Sequence, residues 1–379
     1  MIPSLQPPGA ARVAANLAVG LSADGFDAEL WAGESQPPGV TLPRDLRLVD
    51  LDARTAAGLR ARATEQLRNR PVAALIGVTH SANLAALEAR AAAAPEARVA
   101  VTLHMTLSLF LADEPRRLAR LGAEIGLHYP AADALIAVSG GVAQDAARLS
   151  GMPLAKFHVI PNPIVTPEIA ALSREPVDHP WFAPGQPPVV VGAGRLAPQK
   201  DFLTLIHAFR LARDVRPARL LILGEGPQRQ RLEAAVGRLG LARDVALPGH
   251  AGNPFAYMAR AAVFALSSVH EGLPTVLVEA LACGVPVVST DCPSGPREVL
   301  EGGRLGPLVG VGKPVELASA LLAVLDKTPP TEELRARAQD FSVEKAVAEY
   351  RRVLGLAGLH AAGPEPAKGG AASDPGTIG

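Results

Sequence analysis

Apolar residues recur along this chain in two rhythms, short unbroken runs and longer stretches with an apolar residue every three or four positions, and the two alternate. In the first half, runs at 28–31, 46–49, 72–78, 99–103, 134–138 and 158–160 read as strands, and periodic stretches at 55–70, 83–94, 116–127 and 142–149 as helices. Strands fed by helices pair in parallel through right-handed crossovers, so the pattern predicts an α/β, doubly wound sheet. The alternation restarts at residue 189. Runs at 189–193, 220–223, 245–247, 262–266 and 285–289 read as strands, with helices near 202–213, 228–239, 254–261 and 275–283. Stretches 317–325 and 343–354 look helical too.

Between the two alternations, residues 161–188 carry eight prolines and no periodicity, which marks a connection between domains. The expected organisation is an N-terminal Rossmann-like domain over 1–163, a Pro-rich linker over 164–188, a C-terminal Rossmann-like domain over 189–360 and a tail over 361–379. That tail is Gly, Pro, Ala and Ser, a composition expected to be disordered. The chain opens Met1-Ile2-Pro3-Ser4-Leu5-Gln6-Pro7-Pro8-Gly9 and enters a helix by Arg12, so the strand a doubly wound sheet needs before that loop is expected to be missing.

Composition narrows the setting. At 379 residues the chain exceeds one ordinary core, and 48% hydrophobic residues with 4% aromatics suit helices on parallel strands. Lys plus Arg and Asp plus Glu are 37 each, which removes the global field that nucleic-acid binding relies on. Cys283 and Cys292 have neither redox-pair nor zinc-ribbon spacing. With no secretory pattern, and with the apolar uncharged stretch 99–112 shorter than the roughly 20 residues a spanning helix needs, the expectation is a cytoplasmic protein, soluble or peripheral on a membrane.

The densest candidate chemistry is Ser267-Ser268-Val269-His270-Glu271-Gly272-Leu273-Pro274-Thr275-Val276-Leu277-Val278-Glu279. A strand ends, a loop carries Glu271 and Gly272, and Pro274 suits the start of a helix whose free N–H groups can hold phosphate near Thr275. Glu271 can accept from sugar hydroxyls, and Glu279 from ribose hydroxyls. Upstream, Gly192-Ala193-Gly194-Arg195-Leu196-Ala197-Pro198-Gln199-Lys200 sets two cations at a strand's carboxyl end, where they can neutralise a leaving phosphate. Gly224-Glu225-Gly226-Pro227 forms a turn after a strand, Pro248 ends another, and His104 follows the run 99–103.

Together these segments resemble the GT-B glycosyltransferases of family four, whose signature is two glutamates separated by seven residues after a strand. The resemblance covers about 2–354 and is most specific over 192–296. It implies two Rossmann-like domains facing across a cleft and retaining transfer from a nucleotide sugar, without a metal or other cofactor. Arg195 and Lys200 would grip the donor diphosphate, and Glu271 and His104 would face the donor sugar. Gly194, Gly224, Gly226, Pro248, Gly272, Leu273, Pro274, Thr275 and Glu279 would line the donor site. Gly9, in the run Pro8-Gly9-Ala10-Ala11-Arg12, and Ser139, in Ser139-Gly140-Gly141, would lie on the acceptor side, with Asn162-Pro163 near the hinge. The first of these runs departs from the family's Gly-Gly-x-Glu-Arg turn at Pro8 and Ala11.

The run Val288 to Glu298 resembles a bacterial branch that builds lipopolysaccharide cores and lipid-linked glycans, which implies a UDP-N-acetylhexosamine donor and a glycan or lipid-linked acceptor. Such an acceptor would bring the enzyme to the inner face of the cytoplasmic membrane. Arg54, Arg60, Arg62, Arg68 and Arg70 against Glu65 leave a local surplus of four positive charges for an anionic surface, to which Arg116, Arg117 and Arg120 can add. Asp50-Leu51-Asp52 mimics the metal motif of single-domain GT-A transferases, a match of three residues set aside here. A nucleotide-sugar 2-epimerase and a non-catalytic sugar-nucleotide-binding protein are the rival readings.

Overall fold

The computed structural model describes residues 1–6, 8–35, 42–43, 45–327 and 330–356; the expected tail at 361–379 lies outside them. In the N-terminal half, strands β1 (Ile2–Ser4), β2 (Leu30–Glu34), β3 (Leu48–Asp50), β4 (Ala74–Val78), β5 (Arg98–Leu103), β6 (Ala134–Ala137) and β7 (Phe157–Val159) alternate with helices. These are α1 (Pro8–Ala23), α2 (Ala56–Asn69), α3 (His80–Ala93), α4 (Leu107–Phe110), α5 (Pro115–His128) and α6 (Gly140–Ser150). All strand pairs are parallel, in the orders β1-β2-β3 and β4-β5-β6-β7. Met1 joins the two sets: its amino group donates to Ile76 O at 2.7 Å and its carbonyl accepts from Val78 N–H at 2.9 Å. The expected gap at the start is thereby corrected. Ile2 and Leu5, each 1% exposed, give the short segment an apolar anchor, and pairing with β2 and β4 makes a strand of residues whose own pattern is too brief to show one.

Helix α7 (Pro167–Leu172) stands inside the stretch expected as irregular linker, with Pro167 at its first turn, where a missing N–H costs nothing. The second sheet contains β8 (Val189–Ala193), β9 (Arg219–Leu223), β10 (Val245–Gly249), β11 (Val263–Leu266), β12 (Val287–Thr290) and β13 (Leu308–Val309). Its order is β10-β9-β8-β11-β12-β13, parallel throughout, so the strand order reverses between β8 and β11. The helices are α8 (Phe202–Val215), α9 (Arg229–Arg238), α10 (Pro254–Arg260), α11 (Thr275–Cys283), α12 (Pro296–Val299), α13 (Pro314–Asp326), α14 (Thr331–Ala338) and α15 (Val343–Val353). Helices cover both faces, which is why Val189, Val190 and Val191 are an unbroken apolar run, all buried.

The last helix departs from the expected C-terminal unit over 189–360. Val343, Val347, Tyr350 and Leu354 form one stripe that packs with Leu17, Ile136 and Ile160 of the N-terminal half. Ile164 and Val165 N–H both donate to Phe341 O at 3.0 Å, so the chain crosses between the halves twice at one place. A Cβ on Gly20 of α1 would meet Val343 Cγ1 at 2.3 Å, a measure of how closely α15 lies on that half.

Candidate active site

Ligands of doubly wound sheets bind outside the carboxyl ends of the strands where the order reverses. Here that point lies between β8 and β11, and it holds both sequence-selected loops. The β8 loop is stitched to the β11 loop: Val269 N–H donates to Gln199 O at 2.8 Å, Gln199 Nε2 to His270 O at 2.8 Å, and Ser267 Oγ to Lys200 O at 2.8 Å. Glycines let neighbouring turns touch. Gly224, at φ 138°, brings its Cα so near that a Cβ would lie 2.0 Å from Gly194 O, and a Cβ on Gly226 would lie 2.5 Å from Leu196 O. Pro248 is exposed near the end of β10, and Gly249 O accepts from Gly224 N–H at 2.8 Å, extending this packed rim.

Lys200 Nζ donates to Glu271 Oε1 at 2.6 Å, and Ser268 Oγ donates to the same oxygen at 2.6 Å. Arg195 differs from both. It is exposed on the same loop, and its guanidinium has no hydrogen bond or ion pair among the described residues, although most arginines here are engaged. Leu273 is buried, and Pro274 precedes α11 as its cap residue, with Thr275 first in the helix; among the described residues no side chain caps this end. Glu279, about one turn along, is 4% exposed, and burial raises its carboxyl pKa against the opposing pull of Arg12. Arg12 Nη1 donates to Glu279 Oε1 at 3.0 Å from the opposite half. The sequence singled out Glu279 but gave no sign of Arg12 as its partner; a buried carboxylate's need for a cation is the signal that points to one.

The N-terminal loops close directly on this loop. Ser139 Oγ donates to Gly272 O at 2.7 Å and Thr106 Oγ1 to Glu271 O at 3.1 Å, while Ser294 Oγ, from the C-terminal half itself, also donates to Gly272 O at 3.0 Å. Thr106 and Ser294 were not singled out in the sequence. Gly9 lies exposed in the first turn of α1, so the turn expected at Pro8–Arg12 is already helix, because Pro8 opens it at an ordinary N-terminal position. His104 is held by Thr102 Oγ1 at 2.7 Å from Nε2 and by Asn162 Oδ1 at 3.1 Å from Nδ1. Burial pushes the imidazole down to about 4, so it is neutral near pH 7. Because Asn162 Oδ1 can only accept, the ring donates to it from Nδ1, and its Nε2 faces the Thr102 hydroxyl, which also lies 2.7 Å from Gly77 O. What meets the opposite domain is the His104 main chain, against Gly272.

Other candidates lie elsewhere. Asp50 accepts from Ser35 Oγ and, at 2.9 Å, from Asp52 N–H, so its carboxylate ties a local turn. Much of the surplus expected at 54–70 is paired from outside the segment: Arg54 pairs with Glu34, Arg60 with Glu88, and Arg70 with Asp27 and Glu29, which Arg47 shares, while Arg62 takes Glu65 and Arg68 has no ion pair among the described residues. Cavities of about 250 and 340 Å³ sit at the double crossing beside Ser342 and Lys345, and below the second sheet beside Pro188 and Val285; neither reaches the cleft residues. Among the described residues no helix is long and apolar enough to cross a membrane.

Comparison with known proteins agrees with this geometry. Residues 7–167 match the family model Glycosyltransferase Family 4, and 187–327 match Glycosyl transferases group 1. The chain is 34% identical over 203 residues to the N-acetylgalactosamine-N,N'-diacetylbacillosaminyl-diphospho-undecaprenol 4-alpha-N-acetylgalactosaminyltransferase of Campylobacter jejuni, a match covering 53% of each. It is 29% identical over 242 residues to a lipopolysaccharide core biosynthesis glycosyltransferase of Rhizobium meliloti, covering 64% of this chain and 65% of that one. The matched stretches thus span about half to two thirds of those relatives. An Anabaena protein solved in complex with UDP-glucose superposes with a TM-score of 0.73 at 21% identity, covering 94% of this chain and 99% of that one. Two parallel Rossmann-like domains and a match in each half place the chain among the GT-B glycosyltransferases of family 4.

Proposed function

We propose that the chain is a retaining, metal-independent glycosyltransferase that moves a sugar, an N-acetylhexosamine in the leading form of the reading, from a UDP donor to a lipopolysaccharide or lipid-linked glycan. The observation that carries this is Arg195, an unpaired cation beside the Lys200–Glu271 pair at the point where the strand order reverses. A diphosphate fits there, taking Arg195, Lys200 and the uncapped start of α11 at Thr275. Glu271 would hold the donor sugar and Glu279 the ribose, the latter exchanging its bond to Arg12. His104, neutral, would present no competing charge to the sugar. In the reaction the donor's C1–O bond to phosphate breaks and a bond from C1 to the acceptor oxygen forms on the same face. The acceptor's proton passes to the leaving diphosphate oxygen, so no protein carboxylate need act as base. The names of the Campylobacter and Rhizobium relatives and the UDP-glucose in the Anabaena complex support the donor and acceptor classes.

The test is transfer from UDP-GlcNAc, UDP-GalNAc and UDP-glucose to undecaprenyl-diphosphate-linked and lipopolysaccharide-core acceptors, with product anomeric configuration read by NMR. Transfer with retained configuration is expected, and undiminished in excess chelator, because cations of the chain occupy the place of a divalent ion. Inverted product rejects the stereochemistry; loss in chelator that Mn²⁺ or Mg²⁺ restores rejects the metal independence. Epimerised donor without acceptor would favour the epimerase.

The acceptor class calls for membrane contact, and with four of the five 54–70 arginines paired to carboxylates the contact falls on α5, where a cation stands beside exposed apolar side chains. Arg116 has no partner among the described residues, and Leu127, in the last turn of the helix, and Phe110, in the short helix before it, are 74% and 52% exposed. Liposomes containing anionic lipid are expected to bind the protein at low salt and release it as salt rises. Arg116→Glu with Leu127→Ser should lower that binding at least fivefold; equal binding would remove α5 from the interface.

A further inference from the structure

Glu298 takes no part in the donor site, yet its carboxylate reaches across the cleft. Oε2 accepts from Gly140 N–H at 3.0 Å and Oε1 from Gly141 N–H at 3.3 Å. These amides open α6, a helix of 11 residues whose first turn has donors without helical acceptors. Ser139 Oγ takes one of them, Val142 N–H, at 3.3 Å. The other two are satisfied only from the opposite domain, by a negative charge at the positive end of the helix. The backbone of α12 is fixed for this: Gly295 turns at φ 98° ahead of it, and Arg337 donates to Glu298 O at 2.8 Å and to Val299 O at 3.1 Å. The seam beneath leaves no room for one carbon. A Cβ on Gly141 would meet Ser294 Cβ at 2.3 Å.

We propose that Glu298 is a positioning residue that latches the closed enzyme: its carboxylate docks on the amino end of α6 when the two domains meet over the donor, and lets go to admit acceptor and release product. With Glu298 exposed and the two glycines half-buried, the contact is weak enough to break and re-form during turnover. While it holds, the Ser139 and Thr106 hydroxyls stay on the Gly272 and Glu271 carbonyls, which fixes the loop bearing Glu271 and shuts water out of the cleft. The kinetic consequence rests on the transferase reading; the latch itself does not.

Spin labels on Ala123→Cys in α5 and Ala234→Cys in α9, both exposed, would report the separation of the domains. Cys283 and Cys292 are buried, with thiols pushed up to about 12, and will not compete for label. In full-length protein with UDP a short distance is expected to dominate, and Glu298→Ala should add a longer population. Gly141→Ala, which wedges the same seam, should do the same. In transfer assays Glu298→Ala is expected to lower kcat about tenfold, to leave donor KM within twofold and to raise donor hydrolysis relative to transfer. Unchanged distances in both variants overturn the latch, as do unchanged kcat and hydrolysis in a Glu298→Ala protein that melts like wild type. A wild-type protein that turns over no nucleotide sugar, yet shows the distance shift on substitution, keeps the latch and removes the transferase reading.

Discussion

Lys200→Ala is expected to lower kcat/KM for transfer at least a hundredfold, about 2.7 kcal/mol of barrier. Two losses combine in that figure. Lys200 Nζ lies 2.6 Å from Glu271 Oε1, with the side chains 16% and 8% exposed, so removing the ammonium leaves a carboxylate shielded from water with only Ser268 to answer it. Breaking such a pair typically costs about 3 kcal/mol of stability, because the abandoned charge keeps its desolvation penalty. The second loss is a cation for the leaving diphosphate, and this one falls on the barrier. The double variant Lys200→Ala/Glu271→Gln separates the two, since it removes the stranded charge but restores no cation. Its melting temperature should return most of the way to wild type, while its kcat/KM stays low. Recovery of transfer in the double variant would show that Lys200 serves only to neutralise Glu271.

This division between stability and chemistry also marks what the sequence could carry. The β8, β11 and α11 segments were legible because their signals are local: an apolar run, a turn glycine, a proline at a helix start. Helix α11 was placed at the residues it occupies, and the two glutamates and two cations fall where the strand order reverses. What stayed hidden depends on how the halves dock. Arg12 and Glu279 are 267 positions apart, and Gly140 and Glu298 are 158 apart, so no window along the chain contains either pair. Strand β1 is hidden for a related reason: three residues carry no period, and only the pairing with β2 and the bonds of Met1 to β4 make them a strand. Helix α15 shows its stripe plainly, but a stripe does not say which domain will cover it. The arginines at 54–70 make the same point with charge, for the carboxylates at 27, 29, 34 and 88 that pair with three of them lie outside the segment.

Gly272→Ala should lower kcat at least a hundredfold, about 2.7 kcal/mol, while leaving UDP affinity within threefold. Gly272 is not among the glycines with positive φ, so its backbone would accept alanine without strain of its own. The cost comes wholly from across the cleft. A Cβ there would lie 2.0 Å from His104 O, 2.7 Å from His104 C and 3.0 Å from Met105 Cα, all main-chain atoms that have no rotamer to retreat into. The domains must part by roughly an ångström to restore van der Waals contact. Ser139 Oγ to Gly272 O, at 2.7 Å, and Thr106 Oγ1 to Glu271 O, at 3.1 Å, cannot survive that separation as hydrogen bonds. Arg195, Lys200 and the start of α11 sit wholly in the C-terminal half, so calorimetric titration with UDP should find its site intact. Gly237→Ala provides the control: nothing lies within 4 Å of its Cβ position in α9, and alanine there should stabilise the helix by up to about 1 kcal/mol with activity unchanged. Wild-type kcat in Gly272→Ala would mean that the closed contact is not the catalytic arrangement. A loss of UDP binding as large as the loss of kcat would instead place the role of the glycine in the donor loop, not at the seam.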